Sequence, residues 1–164
     1  MHLEDDMRRV VAEQSLGFVA TVCPDGTPNL SPKGTTIVWD DEHLVFNGED
    51  RGAVKLYRVP ADGSSAPVEL VGGSRRTVGG FDHNEFATVF TSTDSFELPE
   101  LYALAEGGGE DQLTTLTDAF HRRRPAHPTR HFTVASPSEG ELDAWLVTPA
   151  DLDPSVSHPL LVSI

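Results

Sequence analysis

A chain of 164 residues is long enough for one domain, or two small ones, with a real core, because a domain near that size buries about 70% of its unfolded surface. Its 26 acidic residues against 12 basic ones leave a net charge of −14, which excludes nucleic acid and anionic membranes as expected partners. No apolar run approaches the ~18 residues of a membrane helix, no basic-then-apolar leader opens the chain, and a lone Cys23 allows no internal disulfide, so a cytoplasmic location is expected. Only Lys33 and Lys55 are lysines. Acid-rich, lysine-poor composition is that of proteins from salt-loving organisms, where concentrated salt screens self-repulsion. The 14 glycines and 12 prolines suit many short strands joined by turns and argue against a helical bundle.

In chain order, residues 3–14 read as a helix. Leu3, Met7, Val10 and Val11 share one face, and Glu4, Asp5 and Asp6 occupy the first turn, where the helix dipole favours negative charge. Gly17 stops it. Residues 18–22 are a strand, and Pro24-Asp25-Gly26-Thr27 is a tight turn in which Pro pre-sets φ and Gly supplies a positive one. The chain returns through residues 29–31 and goes on to residues 35–39. Asp40-Asp41-Glu42 turns it again, into a strand over residues 43–46. Helix, hairpin and third strand read as one local unit.

Residues 77–104 organise the rest of the chain. A turn at Asp82-His83-Asn84-Glu85 leads into an apolar run with Ala87, Val89 and Phe90; a second run, with Leu101, Tyr102 and Leu104, comes after Pro99. An earlier copy exists. Val45-Phe46 recurs as Val89-Phe90 about 44 residues on, Leu56-Tyr57 as Leu101-Tyr102 about 45 on, and Leu70 as Leu113 about 43 on. Strand-like runs at that offset have the spacing of four-stranded propeller blades.

Three constellations could carry chemistry. Residues 121–131 gather four arginines and three histidines, an anion or metal site in one reading. Pro125 and Pro128 break the helical register that would align the histidines, and no Cys or carboxylate completes a ligand set, so a solvated linker is the expectation. Asp82, Glu85, Asp94, Glu97 and Glu100 fall at turns and strand edges, the places of a solvated acidic face rather than of paired catalytic acids. Trp39 and Trp145 read as core or rim aromatics. Hydrolysis on a Gly-x-Ser-x-Gly elbow is excluded, since no such pentapeptide occurs.

These residues carry two resemblances. Leu16-Gly17-Phe18-Val19-Ala20, the Pro24-Asp25-Gly26-Thr27-Pro28 turn and Ser31-Pro32-Lys33-Gly34-Thr35, within residues ~4–46, resemble the opening of the FMN-binding split-barrel proteins related to pyridoxamine 5′-phosphate oxidase. The resemblance implies FMN contacts at Ser31, Lys33 and Thr35, whose ammonium and hydroxyls can donate to a phosphate or ring carbonyl. The chain departs from that family at Asn47-Gly48-Glu49-Asp50-Arg51, where two carboxylates replace a phosphate clamp. Residues ~40–164 resemble the propeller-to-hydrolase region of the prolyl oligopeptidase family, acylaminoacyl and dipeptidyl peptidases included. Asp50-Arg51-Gly52, Thr77-Val78-Gly79-Gly80-Phe81-Asp82, Asp143-Ala144-Trp145 and His158-Pro159-Leu160-Leu161 carry it.

The expected architecture is mainly β. Residues 1–42 are a split-barrel-like head with a helix and hairpin. Residues 43–120 form two propeller-like antiparallel blades, and residues 121–164 a linker and the first strands of a hydrolase domain. The resemblance implies a non-catalytic piece of a serine peptidase whose propeller screens peptide substrates by size, without cofactor or metal. An FMN-binding module is the alternative, and a plain β-interaction module a third. Two blades leave open sheet edges, so self-association is expected, with the run at residues 160–164 either finding a partner or staying exposed.

Overall fold

The computed structural model describes residues 2–14, 16–23, 25–94, 97–105, 108–138 and 140–163. Pro24 of the expected first turn and Ile164 of the expected last run lie outside the described residues. Strand makes up 47% and helix 10%, which makes the protein mainly β, as its turns and short strand-like runs predict. No helix among the described residues is long and apolar enough to cross a membrane.

Helix α1 (Asp5–Glu13) has Asp5 and Asp6 in its first turn, and Arg9 bonds to Asp6 and Glu13 along one side. Its entry is pinned to the turn at residues 39–42, which joins the first two strands of the large sheet. Buried Leu3 donates its N–H to the Asp41 carbonyl at 2.6 Å, and Arg8 pairs with the Asp41 carboxylate. Strands β1 (Gly17–Val22) and β2 (Pro28–Lys33) form a separate two-stranded antiparallel hairpin.

Beyond the hairpin lie two four-stranded meanders. The first is β3 (Ile37–Val38), β4 (His43–Asp50), β5 (Ala53–Pro60) and β6 (Val68–Val71). The second is β7 (Arg76–His83), β8 (Thr88–Asp94), β9 (Glu100–Leu104) and β10 (Glu110–Gln112). Every pairing within each meander is antiparallel, and one parallel pair, Val54 with Thr77, joins them. The expected helix–hairpin–strand unit is therefore divided: β3 belongs to the first blade, because its backbone pairs with Val45 and Leu44 of β4. Asp50-Arg51-Gly52-Ala53 closes β4 on β5. Arg51 and Gly52 both take positive φ, 50° and 76°, the two-residue turn that matches strand twist.

The sequence repeat is a structural repeat. Phe46 pairs with Tyr57 across β4 and β5, and Phe90 with Tyr102 across β8 and β9. The third anchor shifts by one residue. A β-bulge leaves Leu70 unpaired, so that Leu56 faces Val71, while Leu101 accepts a bond from Leu113. Val71, not Leu70, is the equivalent of Leu113. The core lies between the blades: Val45, Leu56 and Val71 from the first, Val78 and Phe90 from the second, all at most 1% exposed. Burying five such side chains at about 1.5–3 kcal/mol each is what holds the two sheets together.

The stretch expected as a linker is partly ordered. Helix α2 (Asp118–Arg123) ends before Pro125, and β11 (Thr129–Ser136) begins after Pro128 and pairs with β12 (Gly140–Val147). The two prolines bar helix between them, as the sequence implies, but not on either side. Beyond β12 the described residues form turns and no strand, and Leu160, Leu161 and Val162 are exposed.

Candidate functional site

The cleft that gathers most of the sequence candidates lies between the β1–β2 hairpin and the outer face of the first blade. Ser31 and Lys33 of β2 form one wall, Phe46, Gly48 and Tyr57 the floor, and Glu49 and Asp50 the rim. The strand period places them: Ser31 and Lys33 are two apart on β2, Phe46 and Gly48 two apart on β4. Phe46 stacks on Tyr57 with ring centroids 5.8 Å apart, and Lys33 Nζ sits 5.8 Å over the Phe46 ring. A Cβ at Gly48 would lie 3.2 Å from the Tyr57 ring, a tight contact. Burial pushes the Tyr57 phenol up from its ordinary value. Lys55 bonds to Asp50 at 2.7 Å and to Glu69 at 2.9 Å, which holds its ammonium charged well above the usual lysine range.

Thr35 does not join this cleft. Its hydroxyl donates to Asn47 Oδ1 at 2.6 Å, and it lines a different depression, under the end of α1. Ser31 and Lys33 are thus brought together and Thr35 is kept apart. A flavin phosphate in the cleft would meet the Glu49 and Asp50 carboxylates against the single charge of Lys33. The residues present do not fit that group.

The second blade repeats the arrangement. Arg76 lies over Phe90 and Tyr102, 5.3 and 5.1 Å from their centroids, donates Nε to Ser92 Oγ at 2.5 Å and pairs with Glu110 at 2.6 Å. Arg76 stands about 43 residues after Lys33, the repeat offset. Each sets a cation over a blade's phenylalanine, Lys33 from strand β2 of the separate hairpin and Arg76 from β7 of the blade itself. The sequence reading missed Arg76, although the offset could have found it.

Three other polar clusters lock the fold. Buried Glu100 accepts from the Thr117 N–H at 2.6 Å, from the Thr117 hydroxyl at 2.7 Å and from the Thr114 hydroxyl. Those bonds hold its carboxyl down to about 2 and tie the chain after β10, where α2 starts, to β9. It is not part of a solvated face. His83 stacks flat on Trp39, with centroids 4.0 Å apart, and its Nε2 donates to the Trp39 carbonyl at 2.8 Å. Its Nδ1 lies 2.6 Å from the Thr88 hydroxyl oxygen. Asp143 of β12 takes both nitrogens of the Arg51 fork, at 3.1 and 3.2 Å, and His131 Nε2 at 2.7 Å. The two partners, Arg51 first, hold its carboxyl below the usual aspartate range. Trp145 covers Gly52, where a Cβ would lie 2.5 Å from the indole. Buried Ser92 is held by Arg76. No group of three metal-ligating side chains occurs among the described residues.

Two successive, repeated four-stranded meanders, joined through β5 and β7, define a piece of a propeller-type β protein. No protein-family profile matches the chain. It is 25% identical over 133 residues to the uncharacterized peptidase YuxL of Bacillus subtilis (strain 168), covering 77% of this chain and 20% of that one. It is 39% identical over 67 residues to the catabolic alanine racemase of Klebsiella aerogenes, covering 39% of this chain and 19% of that one. Among solved structures, the acylaminoacyl peptidase of Pyrococcus horikoshii superposes over 85% of this chain and 19% of its own, with a TM-score of 0.59 at 19% identity. An acylaminoacyl peptidase in complex with Z-Gly-Gly-Phe-chloromethyl ketone covers 88% and 20%, with a TM-score of 0.61 at 19% identity. The chain thus shares the fold of part of these peptidases and spans about a fifth of each relative's length. The matches lend no support to the split-barrel resemblance of residues 4–46.

Proposed function

We propose that this chain is a non-catalytic propeller portion of a peptidase related to the acylaminoacyl peptidases, where it screens substrates by size. The observation that carries this reading is the repeat in register. Phe46–Tyr57 and Phe90–Tyr102 stack alike, with Lys33 over Phe46 and Arg76 over Phe90 and Tyr102, on two successive four-stranded meanders joined through β5 and β7. The likeness to YuxL over 77% of the chain supports it. Acyl transfer needs a nucleophile presented on a strained turn, and the chain holds no Gly-x-Ser-x-Gly elbow.

Two experiments test the proposal. The purified chain, in high salt, is treated with a fluorophosphonate probe and a chromogenic acyl-amino-acid anilide. No labelling and no release are expected; stoichiometric labelling of any serine overturns the non-catalytic reading. In the second, residues 37–112 replace the corresponding blades of an active acylaminoacyl peptidase. Short N-acyl peptides should still be cut while long ones are excluded, and equal cleavage of both would sink the screening role. The flavin alternative has in its favour only Ser31 and Lys33 beside Phe46 in one cleft. Saturable binding of micromolar FMN, lost in Lys33→Ala, would establish it instead.

A further inference from the structure

We infer that the outward face of the β1–β2 hairpin is a self-association surface, and that its occupant is the same face of a second copy of this chain. The inference does not rest on the peptidase reading, and the surface is distinct from the open blade edges.

The hairpin is turned inside out. Phe18 pairs with Pro32, Ala20 with Leu30 and Val22 with Pro28, and strand alternation puts these six on one face. A two-layer β protein turns such a face to its core. Here Val19, Ser31 and Lys33, on the opposite face, are the half-buried ones, and they meet the first blade. All six apolar residues are exposed, with Phe18 at 59%, Val22 at 75% and Leu30 at 62%. Single exposed apolar side chains are ordinary, but a contiguous uncharged patch marks an interaction surface.

Charge selects the occupant. Within residues 16–32 the only ionisable side chain apart from Cys23 is Asp25, and it lies in the turn beyond the strand ends. A basic partner gains nothing from this face and would be drawn to the acidic remainder. Two copies at −14 each repel one another, and a face without carboxylates is where they meet at least cost. An apolar face pairing with itself about a twofold axis satisfies both copies at once.

Size sets the strength. Two six-residue strands, at ~3.4 Å per residue and ~4.8 Å apart, present a face about 20 Å long and about 10 Å wide. That is well below the ~800 Å² each partner gives to a stable complex, so the dimer is weak. Raising salt from 0.1 to 1 M shortens the screening length from about 10 to about 3 Å and removes repulsion without touching the apolar contact. Association therefore strengthens with salt.

Sedimentation velocity on the intact chain, from micromolar to millimolar in 0.1 and 1 M KCl, tests this. A reversible monomer–dimer equilibrium is expected, with Kd falling at least tenfold at the higher salt. Leu30→Glu places like charges across the twofold contact and should be monomeric throughout, with an unchanged circular dichroism spectrum. If that variant misfolds, Phe18→Ser, which removes apolar area without adding charge, should weaken the dimer at least tenfold. Leu161→Glu, in the exposed tail, should leave it intact. The inference is overturned by a wild-type monomer at millimolar concentration in 1 M KCl, by a dimer that survives Leu30→Glu, or by a dimer lost in Leu161→Glu. Leu30-dependent binding of the monomer to phosphatidylcholine vesicles, without dimerisation, would likewise overturn it and give the face to lipid.

Discussion

Phe90 lies across β8 and β9 from Tyr102, their rings 5.7 Å apart and 16° from parallel, and Phe90 is 1% exposed. This pair does two things at once. It fixes the register of the second blade, and it presents Phe90 to Val45, Leu56 and Val71 of the first. Phe90→Ala should therefore cost about 3–5 kcal/mol, as large-to-small changes at fully packed aromatic sites do. Urea unfolding followed by circular dichroism measures it. A loss under 1 kcal/mol would mean that the blades do not meet at Phe90.

Glu100 makes stability depend on acid. Its folded carboxyl, at about 2, lies below the ordinary 4.5, because the Thr114 and Thr117 donors favour the charged form. A depressed acid stabilises the fold fully above the unfolded value and loses that contribution as pH falls through the folded one. The gap in thermal midpoint between wild type and Glu100→Gln should be widest above pH 5 and close as pH drops from 4.5 towards 2. A gap constant over that range would show that the carboxylate is not held as described.

Gly52 is where the β11–β12 hairpin docks on the first blade. Alanine there meets two obstacles, a positive φ of 76° and the Trp145 ring. Gly52→Ala should destabilise by about 1–2 kcal/mol from the backbone alone and lift Trp145 into water. A red shift of tryptophan emission, absent when Trp145 is replaced by Phe, reports the lift. Unchanged emission in Gly52→Ala would show that the indole does not rest on this turn.

The charge of −14 makes the fold salt-dependent. Repulsion among carboxylates is screened as the screening length shrinks. The thermal midpoint should rise between dilute buffer and 2 M KCl. Sodium perchlorate, with comparable screening but opposite effect on water, separates charge screening from salting-out. A flat or falling midpoint in KCl removes the halophilic reading.

The strands and turns of this protein are written locally. Short apolar runs between Gly- and Pro-rich turns and the Val-Phe and Leu-Tyr recurrence at about 44 residues are enough to read a mainly β chain with repeated blades. Composition alone sets the charge. Other features needed the tertiary structure. The bulge at Leu70 moves the third anchor to Val71, because a bulge depends on the partner strand, not on the residue's own pattern. Glu100 reads as one more surface acid, since its donors, Thr114 and Thr117, lie in a segment with no periodic signal. Arg51 and Asp143 are 92 residues apart, and no local rule pairs them. Alternation divides the first hairpin into an apolar and a polar face but does not say which one points inward. Only the tertiary structure shows that the Lys33 face lies over Phe46 and that Phe18, Val22 and Leu30 face water.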